Sequence, residues 1–284
     1  MDSSRIFIVG ANGQLGTALK QQYPDAQSAD IDELDITNRD SVNNYDWSKV
    51  DIILNAAAYT NVDGAETDEG RIAAWKVNAE AVGNLVRASW QNKLTIVHIS
   101  TDYVFDGTKT EHTEDEAFAP LSVYGASKAA GDLLVSQIGK HYILRTSWVI
   151  GEGNNFVRTM LGVAKKGIKP TVVADQIGRL TFTSELVRAI DHLLSNNCDF
   201  GTYNVTSSGD PVSWADITRK IFELGNYDLN VTNTTTQEYF KGKEGIAPRP
   251  LQSTLSLDKI ARTGYKPVDW KEDLEKYVRK ELAK

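Results

Sequence analysis

The feature that most constrains this chain is a glycine-rich turn placed between an apolar run and a helical pattern. The run Ile6–Val9 is entirely apolar, and the turn from Gly10 to Gly16 reads G-A-N-G-Q-L-G. A strand that passes through so short a turn into a helix is the first half of a β-α-β unit. The chain is therefore expected to begin with a strand of a parallel sheet.

The same alternation continues downstream. Runs at 51–55, 94–99 and 142–145 have the composition of strands buried on both faces. The segments 14–23, 71–91 and 123–139 are long enough to form the crossover helices that parallel strands require. We therefore predict an α/β fold with a Rossmann-like, doubly wound parallel sheet.

The alternation of strand and helix patterns becomes less regular after about residue 147. A helix is predicted at 156–165, a strand at 171–174 and a helix at 184–194, and short elements follow from 201 onward. We assign 1–148 and about 171–195 to the Rossmann core that binds NAD(P). About 149–170 and 196–284 are assigned to a smaller C-terminal substrate-binding lobe.

Composition excludes several classes of function. A formal charge of -7 without a long Lys/Arg run argues against nucleic-acid binding and against a polybasic membrane anchor. The single Cys198 allows neither an intramolecular disulfide nor a thiolate metal cluster. No apolar run approaches the roughly 18 residues that span a bilayer. We expect a cytoplasmic protein without a metal site.

The glycines recur at a G-x-x-G-x-x-G spacing where a strand opens into a helix. Small residues there let the backbone approach a pyrophosphate, whose charge is stabilised at the helix N-terminus. Alternatively, such a spacing forms only a tight strand-to-helix turn. The residues expected to contact the dinucleotide here are Gly10, Asn12, Gly13, Gln14 and Leu15.

An acidic residue follows at the distance where this fold places one on the adenosine ribose. Asp30 lies twenty residues after Gly10, a position that favours NADH over NADPH. The alternative is that Asp30, Asp32 and Asp35 belong to a solvated loop and cap helices. The turn at Asp35 and Ile36 is expected to contact the adenine.

Tyr124 and Lys128 are four residues apart, which places them on one face of a helix. A free phenol has a pKa near 10, so a nearby cation assists proton exchange with a carbonyl oxygen near neutral pH. Thr101 follows the predicted strand 94–99, at the sheet edge where open α/β sheets bind ligands. Alone, Thr101 would form a Ser/Thr turn; together, Thr101, Tyr124 and Lys128 predict a catalytic centre.

These residues resemble the extended short-chain dehydrogenase/reductase family and, within it, the dTDP-4-dehydrorhamnose reductases. The resemblance covers nearly the whole chain. Besides the glycine turn, its motifs are L-D-I-T-N at Leu34, N-A-A-A-Y-T-N-V-D-G-A-E at Asn55, S-T-D-Y-V-F-D-G at Ser100, Y-G-A-S-K at Tyr124, R-T-S-W-V at Arg145, N-F-V-R-T-M at Asn155, V-V-A-D-Q-I-G at Val172 and R-P-L-Q-S at Arg249.

The resemblance implies reduction of the C4 ketone of dTDP-4-dehydro-L-rhamnose, in the synthesis of cell-surface polysaccharides. NADPH is the expected reductant, with NADH as an alternative. Tyr124 matches the proton donor, Lys128 its partner on the cofactor ribose, and Thr101 the carbonyl-binding hydroxyl. The other implied contacts are Thr60, Asp102, Tyr103 and Trp148 to the sugar, and Ala56, Ala57, Ala58 and Asn78 around the nicotinamide.

Two side chains, Trp148 and Arg249, have two interpretations each. Trp148 is either a flat apolar wall for a sugar or a core residue. Arg249, between two prolines, is either a clamp for the diphosphate or part of a structural ion pair. Arg158 is a weaker candidate for the same clamp.

Two positions depart from the family pattern. Some members bind Mg²⁺ at a dimer interface through a Glu where this chain has Ala18, so metal-linked dimerisation is not expected here. Arg179-Leu180-Thr181 lacks the proline that many relatives carry before the threonine. We expect a monomer or weak homodimer, and in some relatives the reductase is joined to an epimerase domain in a longer product.

Other activities remain open at this stage. Sugar-nucleotide dehydratases carry an acidic pair after the strand-end Thr, whereas here Asp102 is followed by Tyr103, which favours simple reduction. A sugar-nucleotide epimerase would use the same Tyr and Lys. A regulatory subunit that binds the dinucleotide without turnover would share the fold, although Thr101, Tyr124 and Lys128 are all retained.

Overall fold

The structure is a computed structural model that describes residues 2–284. Its strands are β1 (Ile6–Val9), β2 (Gln27–Ala29), β3 (Ile52–Asn55), β4 (Thr95–Thr101), β5 (His141–Thr146), β6 (Val149–Ile150), β7 (Thr171–Val173), β8 (Ile177–Gly178), β9 (Thr181–Phe182), β10 (Gly201–Asn204), β11 (Val212–Ser213) and β12 (Thr232–Thr234). Its α-helices are α1 (Gln14–Gln22), α2 (Arg39–Asn44), α3 (Asp68–Trp75), α4 (Ala81–Asn92), α5 (Val123–Val135), α6 (Phe156–Lys165), α7 (Thr183–Ser195), α8 (Trp214–Leu224), α9 (Thr236–Phe240), α10 (Asp258–Ala261) and α11 (Trp270–Leu282).

Six strands form a central sheet in the order β2-β1-β3-β4-β5-β10, and every neighbouring pair is parallel. The chain runs outward from β1 to β2 and then returns to β3 on the other side of β1. The strand order therefore reverses between β1 and β3, the point at which open α/β sheets bind ligands. The predicted fold class, a doubly wound α/β sheet, is confirmed.

Both faces of the sheet are buried, as its apolar strands require. Ile6 and Ile8 of β1 pack towards α1 and α7, whereas Phe7 and Val9 face the layer that contains α2, α4 and α5. The alternation follows from the two-residue period of a strand. A parallel sheet covered by helices on both faces holds its strand ends in fixed positions, and those ends carry the site.

A smaller lobe packs its own core beside the carboxyl ends of the strands. Helices α6, α8 and α11 contribute side chains that include Val157, Ile221, Trp270 and Leu274. Three two-stranded sheets, β11 with β8, β12 with β7 and β6 with β9, complete this region. None of the helices within residues 2–284 is both long and apolar enough to cross a membrane.

The strand pairings correct the predicted division of the chain at two places. Thr171–Val173 had been placed in the core, but it pairs with Thr232–Thr234 and Val172 packs in the lobe. Gly201–Asn204 had been placed in the lobe, but it is the edge strand of the central sheet, beside β5. Pairing over such sequence separations depends on long-range packing, which local patterns do not report.

The predicted helix 71–91 corresponds to a longer helical segment with an irregular centre. Helix α3 continues through a π-helical turn at Lys76–Glu80 into α4. Such single π-turns often lie at functional sites. The predicted helix 123–139 ends earlier, at Val135.

Candidate active site

A cavity of about 470 Å³ lies where the strand order reverses. It is bordered by the turns that follow β1, β2 and β3 and by Val77 of the π-turn. Nine residues predicted to bind the dinucleotide line this groove: Gly10, Asn12, Gly13, Asp30, Asp35, Ile36, Ala56, Ala57 and Ala58.

The glycines of the first turn are required by close backbone packing. Gly10 has φ +75°, and a Cβ at this residue would lie 2.6 Å from the Ala57 nitrogen. A Cβ at Gly16 would lie 2.1 Å from the Gly10 carbonyl oxygen. Helix α1 starts at Gln14 without a side-chain cap, so its first amide groups have no intrahelical partner. This cradle of small residues and free amides fits a pyrophosphate.

Gln14 and Leu15 were also predicted to contact the dinucleotide, but their side chains lie elsewhere. Leu15 is packed in the core, and Gln14 lines a separate cavity against Thr183 and Arg188. The backbone amides of both residues belong to the first turn of α1. Any contact to a pyrophosphate would therefore come from the backbone.

Asp30 directly follows β2, at the carboxyl end of the strand. Its Oδ2 accepts the Asn12 N–H at 2.8 Å, and its Oδ1 accepts the Ile31 N–H at 2.9 Å. The carboxylate therefore braces the glycine turn. A cation lies close by, because Lys20 Nζ is 3.4 Å from Asn12 Oδ1.

Helix α5 positions the tyrosine and the lysine. Ser122 caps the helix by accepting the Gly125 N–H at 3.1 Å, and Glu66 accepts the Val123 N–H at 2.9 Å. A Cβ at Gly125 would meet the Tyr103 carbonyl oxygen at 2.2 Å, so the helix packs tightly against the turn that follows β4. This contact places Tyr124 beside the end of that strand.

Tyr124 is half-buried, and desolvation of its phenol raises its pKa above the ordinary value, while the neighbouring Thr101 hydroxyl acts in the opposite direction. The phenol is therefore protonated at neutral pH and can donate its proton. Thr101 is the last residue of β4. Its hydroxyl donates to Asp102 Oδ1 at 3.0 Å and accepts the Tyr103 N–H at 3.2 Å.

Lys128 is almost fully buried, with 2% of its surface exposed. Its Nζ donates to the Ile99 carbonyl oxygen at 2.6 Å. Burial lowers the pKa of Lys128 to about 8, and the nearby Asp132 acts in the opposite direction. The lysine therefore changes charge near physiological pH.

Asn78 lies in the π-turn and is fully enclosed. Its Oδ1 accepts the Tyr59 N–H at 2.9 Å, and its Nδ2 donates to the Tyr59 carbonyl oxygen at 3.1 Å and to Ser127 Oγ at 3.0 Å. Asn78 thus fixes the loop after β3 against helix α5. This loop carries the three alanines of the groove.

A second cavity, of about 460 Å³, opens between the sheet edge and the lobe and is rich in aromatic side chains. Trp148 stacks on Trp214 with ring centroids 3.8 Å apart. The backbone of Trp148 is left-handed, with φ +48°, a strained conformation for a bulky residue. Tyr103 lines the same cavity and packs edge-on against Tyr124 at 5.5 Å, which connects the cavity to the predicted catalytic residues.

Arg249 also lines this aromatic cavity, but its guanidinium already has a partner. Both oxygens of Asp63 accept from Nη2 at 2.8 Å, and the guanidinium lies 4.7 Å from the Phe240 ring centroid. Arg249 therefore forms the structural ion pair of one interpretation and also lines the cavity, as the other interpretation requires. Arg158 instead pairs with Glu152 and Glu281, outside the cavity.

Some residues fall outside these predictions. Thr60 is exposed and lines neither the groove nor the aromatic cavity. Trp214, Phe240 and Gln176 line the aromatic cavity without having been predicted, because single residues distant in the chain carry no local signal. Within residues 2–284, no group of three or more His, Cys, Asp or Glu side chains is placed to hold a metal ion.

Asp102 is buried beside Thr101, and burial raises its pKa to about 6. Because the folded protein binds this proton more tightly than the unfolded chain does, its ionisation costs stability as pH rises from about 4 through 6. Asp102→Asn removes that cost. We expect the free energy of unfolding of the variant, relative to the parent, to rise by about 2 kcal/mol between pH 4.5 and pH 8 in urea titrations.

The matched control is Asp106→Asn, four residues on. Asp106 is half-buried, and its hydrogen bonds to Thr108 lower its pKa, so it is ionised in both the folded and the unfolded chain across this pH range, and the control should leave the difference in stability nearly constant. An Asp102→Asn effect that is identical at both pH values would show that the carboxyl group is not neutral in the folded protein.

The arrangement of groove, tyrosine and lysine is that of the short-chain dehydrogenases/reductases, in which a hydride passes between a nicotinamide and a carbonyl group. The sequence profile described as the RmlD substrate binding domain matches residues 4–283. A dTDP-4-dehydrorhamnose reductase from Aggregatibacter actinomycetemcomitans is 40% identical, over 95% of this chain and 97% of that protein.

Solved structures of enzymes with the same name are also similar to this chain. A dTDP-4-dehydrorhamnose reductase from Clostridium acetobutylicum superposes with a TM-score of 0.90 at 37% identity, covering 98% of this chain and 99% of the other. The enzyme of that name from Bacillus anthracis, solved with NADP, superposes with a TM-score of 0.89 at 36% identity, covering 97% and 99%. The chain belongs to the dTDP-4-dehydrorhamnose reductase family.

Proposed function

We propose that this chain reduces the C4 ketone of dTDP-4-dehydro-L-rhamnose to dTDP-L-rhamnose, for the synthesis of cell-surface polysaccharide. The observation that carries the proposal is the placement of Tyr124. The half-buried Tyr124 packs edge-on against Tyr103, which follows β4 and lines the aromatic cavity. The neighbouring strand β3 leads into the alanines of the groove at the reversal of strand order. A carbonyl held between the two cavities would meet a proton donor.

The chemistry requires a hydride for the carbonyl carbon and a proton for its oxygen. The reduced nicotinamide supplies the hydride when it is bound. Tyr124 donates the proton and is left as the phenolate, whose charge the Lys128 ammonium stabilises. The Thr101 hydroxyl holds the carbonyl oxygen beside the phenol. The ketone gains one hydride and one proton and becomes an alcohol.

The aromatic cavity suits the rest of a nucleotide sugar. The stacked pair Trp148 and Trp214 and the ring of Phe240 give flat apolar walls for a sugar or a base. Arg249 supplies a fork of donors that matches phosphate oxygens and is held in place by Asp63. We assign the diphosphate to this end of the cavity.

The preferred reductant is proposed to be NADPH, with NADH as a weaker substitute. The position of Asp30 alone would favour NADH. However, one Asp30 oxygen accepts the backbone N–H of Asn12 in the glycine turn and the other accepts that of Ile31, and Lys20 adds a positive charge near Asn12. Comparing kcat/KM for the two reductants would decide this preference.

The test of the proposed function is a turnover assay with two substrates that differ in configuration at C3 and C5. Enzymatically prepared dTDP-4-dehydro-L-rhamnose and its 3,5-epimer, dTDP-4-dehydro-6-deoxy-D-glucose, are each mixed with NADPH or NADH, and loss of reduced nicotinamide is followed. Rapid turnover of the first substrate alone is expected. No turnover of either, with the dinucleotide still bound, would overturn the proposal and favour a regulatory subunit.

Arg249→Met is expected to raise KM for the nucleotide sugar by about tenfold or more with a smaller change in kcat, because a diphosphate contact is made in both ground and transition states. Steady-state kinetics at saturating NADPH measures both constants.

Arg158→Met is the matched control. It removes a guanidinium with two carboxylate partners that lies outside the aromatic cavity, and should leave KM unchanged. Equal values of KM for the parent and Arg249→Met would place the diphosphate elsewhere.

We further propose a cytoplasmic location, where nicotinamide dinucleotides are kept reduced, and a monomer or weak homodimer. The second proposal rests on Ala18, which replaces an acidic ligand used by metal-linked relatives. Light scattering with and without a chelator would show whether a metal links two copies.

A further inference from the structure

His98 is a buried ionisable group for which the proposed reaction has no use. It lies on β4 with 0% of its surface exposed, and burial, with Lys128 next to it, lowers its pKa well below the ordinary value. The imidazole is therefore neutral. A neutral imidazole carries a single N–H, so its contacts depend on which nitrogen holds the proton.

Asn55 determines that choice. Its Oδ1 accepts the Ala57 N–H at 3.2 Å, which turns its amide Nδ2 towards His98 Nδ1 at 3.0 Å. An amide NH₂ group only donates, so His98 Nδ1 must accept. The proton of the imidazole is therefore on Nε2.

The Nε2–H faces two charged groups. Lys128 Nζ is 3.4 Å away, and Asp132 Oδ1, which has no hydrogen-bond partner, is 3.9 Å away. The protonated form of Lys128, an ammonium group, has no lone pair, so the imidazole N–H cannot donate to it and its partial positive charge opposes the ammonium charge. The neutral amine has a lone pair and could accept this N–H. Arg145 holds the other Asp132 oxygen at 3.0 Å.

We infer that His98 is a positioning residue: held by Asn55 as the Nε2–H tautomer, it keeps Lys128 on the Ile99 carbonyl and sets the charge state of that lysine. It is not a proton wire, because the Asn55 amide beyond Nδ1 cannot deliver a proton. The inference rests on the proposed role of Lys128.

Several other ionisable groups surround Lys128. Tyr124 and Asp132 lie on its own helix, Arg145 of β5 is paired with Asp132, and buried Asp102 acts on Tyr124. Two further groups, Lys76 and Glu80, lie in the π-turn packed against α5, and both are exposed. Among the hydrogen-bond partners of Lys128 Nζ within residues 2–284, Ile99 offers a carbonyl oxygen and His98 offers a neutral imidazole.

The test replaces His98 with Met, which has a similar volume and no N–H to oppose the charge of the Lys128 ammonium. The lysine should then keep its proton to higher pH, so the alkaline limb of kcat should move up by about one pH unit, while KM for NADPH changes little. A merely structural role would lower the rate without moving the limb. If neither the alkaline limb nor the titration midpoint of Lys128 itself moved up, the inference would be overturned.

A second readout does not depend on turnover. The ¹³Cε resonance of Lys128, assigned with Lys128→Met, is titrated in the protein without substrate, and its midpoint should move up in parallel. A shifted resonance with an unshifted rate profile would support the inference and overturn the proposed role of Lys128 in catalysis.

Two further variants complete the design. In Asn55→Asp, the carboxylate can accept only from a protonated Nδ1 of His98, so the imidazole changes to the other tautomer. Nε2 is then an acceptor for the Lys128 ammonium, and the titration midpoint of Lys128 should also move up. This variant decides the question if His98→Met does not fold. His192→Met is the matched control: it removes a histidine of α7 that bonds Thr263, and it should leave the midpoint in place.

Discussion

Tyr124→Phe is expected to lower turnover at least about a hundredfold while leaving the affinity for NADPH nearly unchanged. The phenol is the only group of this side chain that donates a proton, and burial keeps it protonated at neutral pH. Phenylalanine keeps the ring and its edge-on contact with Tyr103, so binding and packing should survive. The two measurements are steady-state kcat and the dissociation constant of NADPH from fluorescence titration.

Tyr103→Phe is the matched control for this loss. It removes a phenol from the neighbouring ring, which lines the aromatic cavity, and should reduce kcat by less than about tenfold. If Tyr124→Phe kept turnover within threefold of the parent, another group would have to supply the proton, and the assignment of Tyr124 would be wrong.

The parts of the fold that could be predicted are those with a strong local pattern. The strand Ile6–Val9 and the helix Phe156–Lys165 have the predicted bounds, because four consecutive apolar residues and an amphipathic repeat each favour a single structure. Gly201–Asn204 carries no such signal. Its place beside β5 is decided by packing between residues about sixty positions apart.

That the predicted dinucleotide-binding residues line one groove could be predicted for a related reason. Its residues follow three strands directly, and parallel strands bring their carboxyl ends to one edge. The left-handed backbone of Trp148 and the π-turn at Lys76–Glu80 were not predictable, since neither has a glycine or another local marker. Both are imposed by the surrounding structure.

The contacts of Lys128 could not be predicted from the sequence. The helical spacing places Lys128 on the same face of α5 as Tyr124. It does not indicate His98 or Asn55, which lie on strands β4 and β3. Their hydrogen bonds depend on side-chain orientation across the sheet. Such buried polar networks become visible only when the tertiary structure is known.

Lys128→Met is expected to weaken two properties together. Turnover should fall by about a hundredfold, since the phenolate of Tyr124 loses its cation, and NADPH should bind about tenfold more weakly, since the proposed contact to the cofactor ribose is lost. Methionine fills nearly the same volume. The measurements are kcat at saturating substrate and the dissociation constant of NADPH.

Stability separates these losses from misfolding. The Lys128 ammonium is buried, so its removal relieves a desolvation cost, while the hydrogen bond to Ile99 and the attraction to Asp132 are lost. These effects oppose each other, and we expect the free energy of unfolding to change by less than about 1 kcal/mol. Exposed Lys140 provides the control, since Lys140→Met should change neither rate nor binding. A normal dissociation constant for NADPH in Lys128→Met would restrict the lysine to the proton-transfer step, because a ribose contact cannot be removed without loss of binding energy.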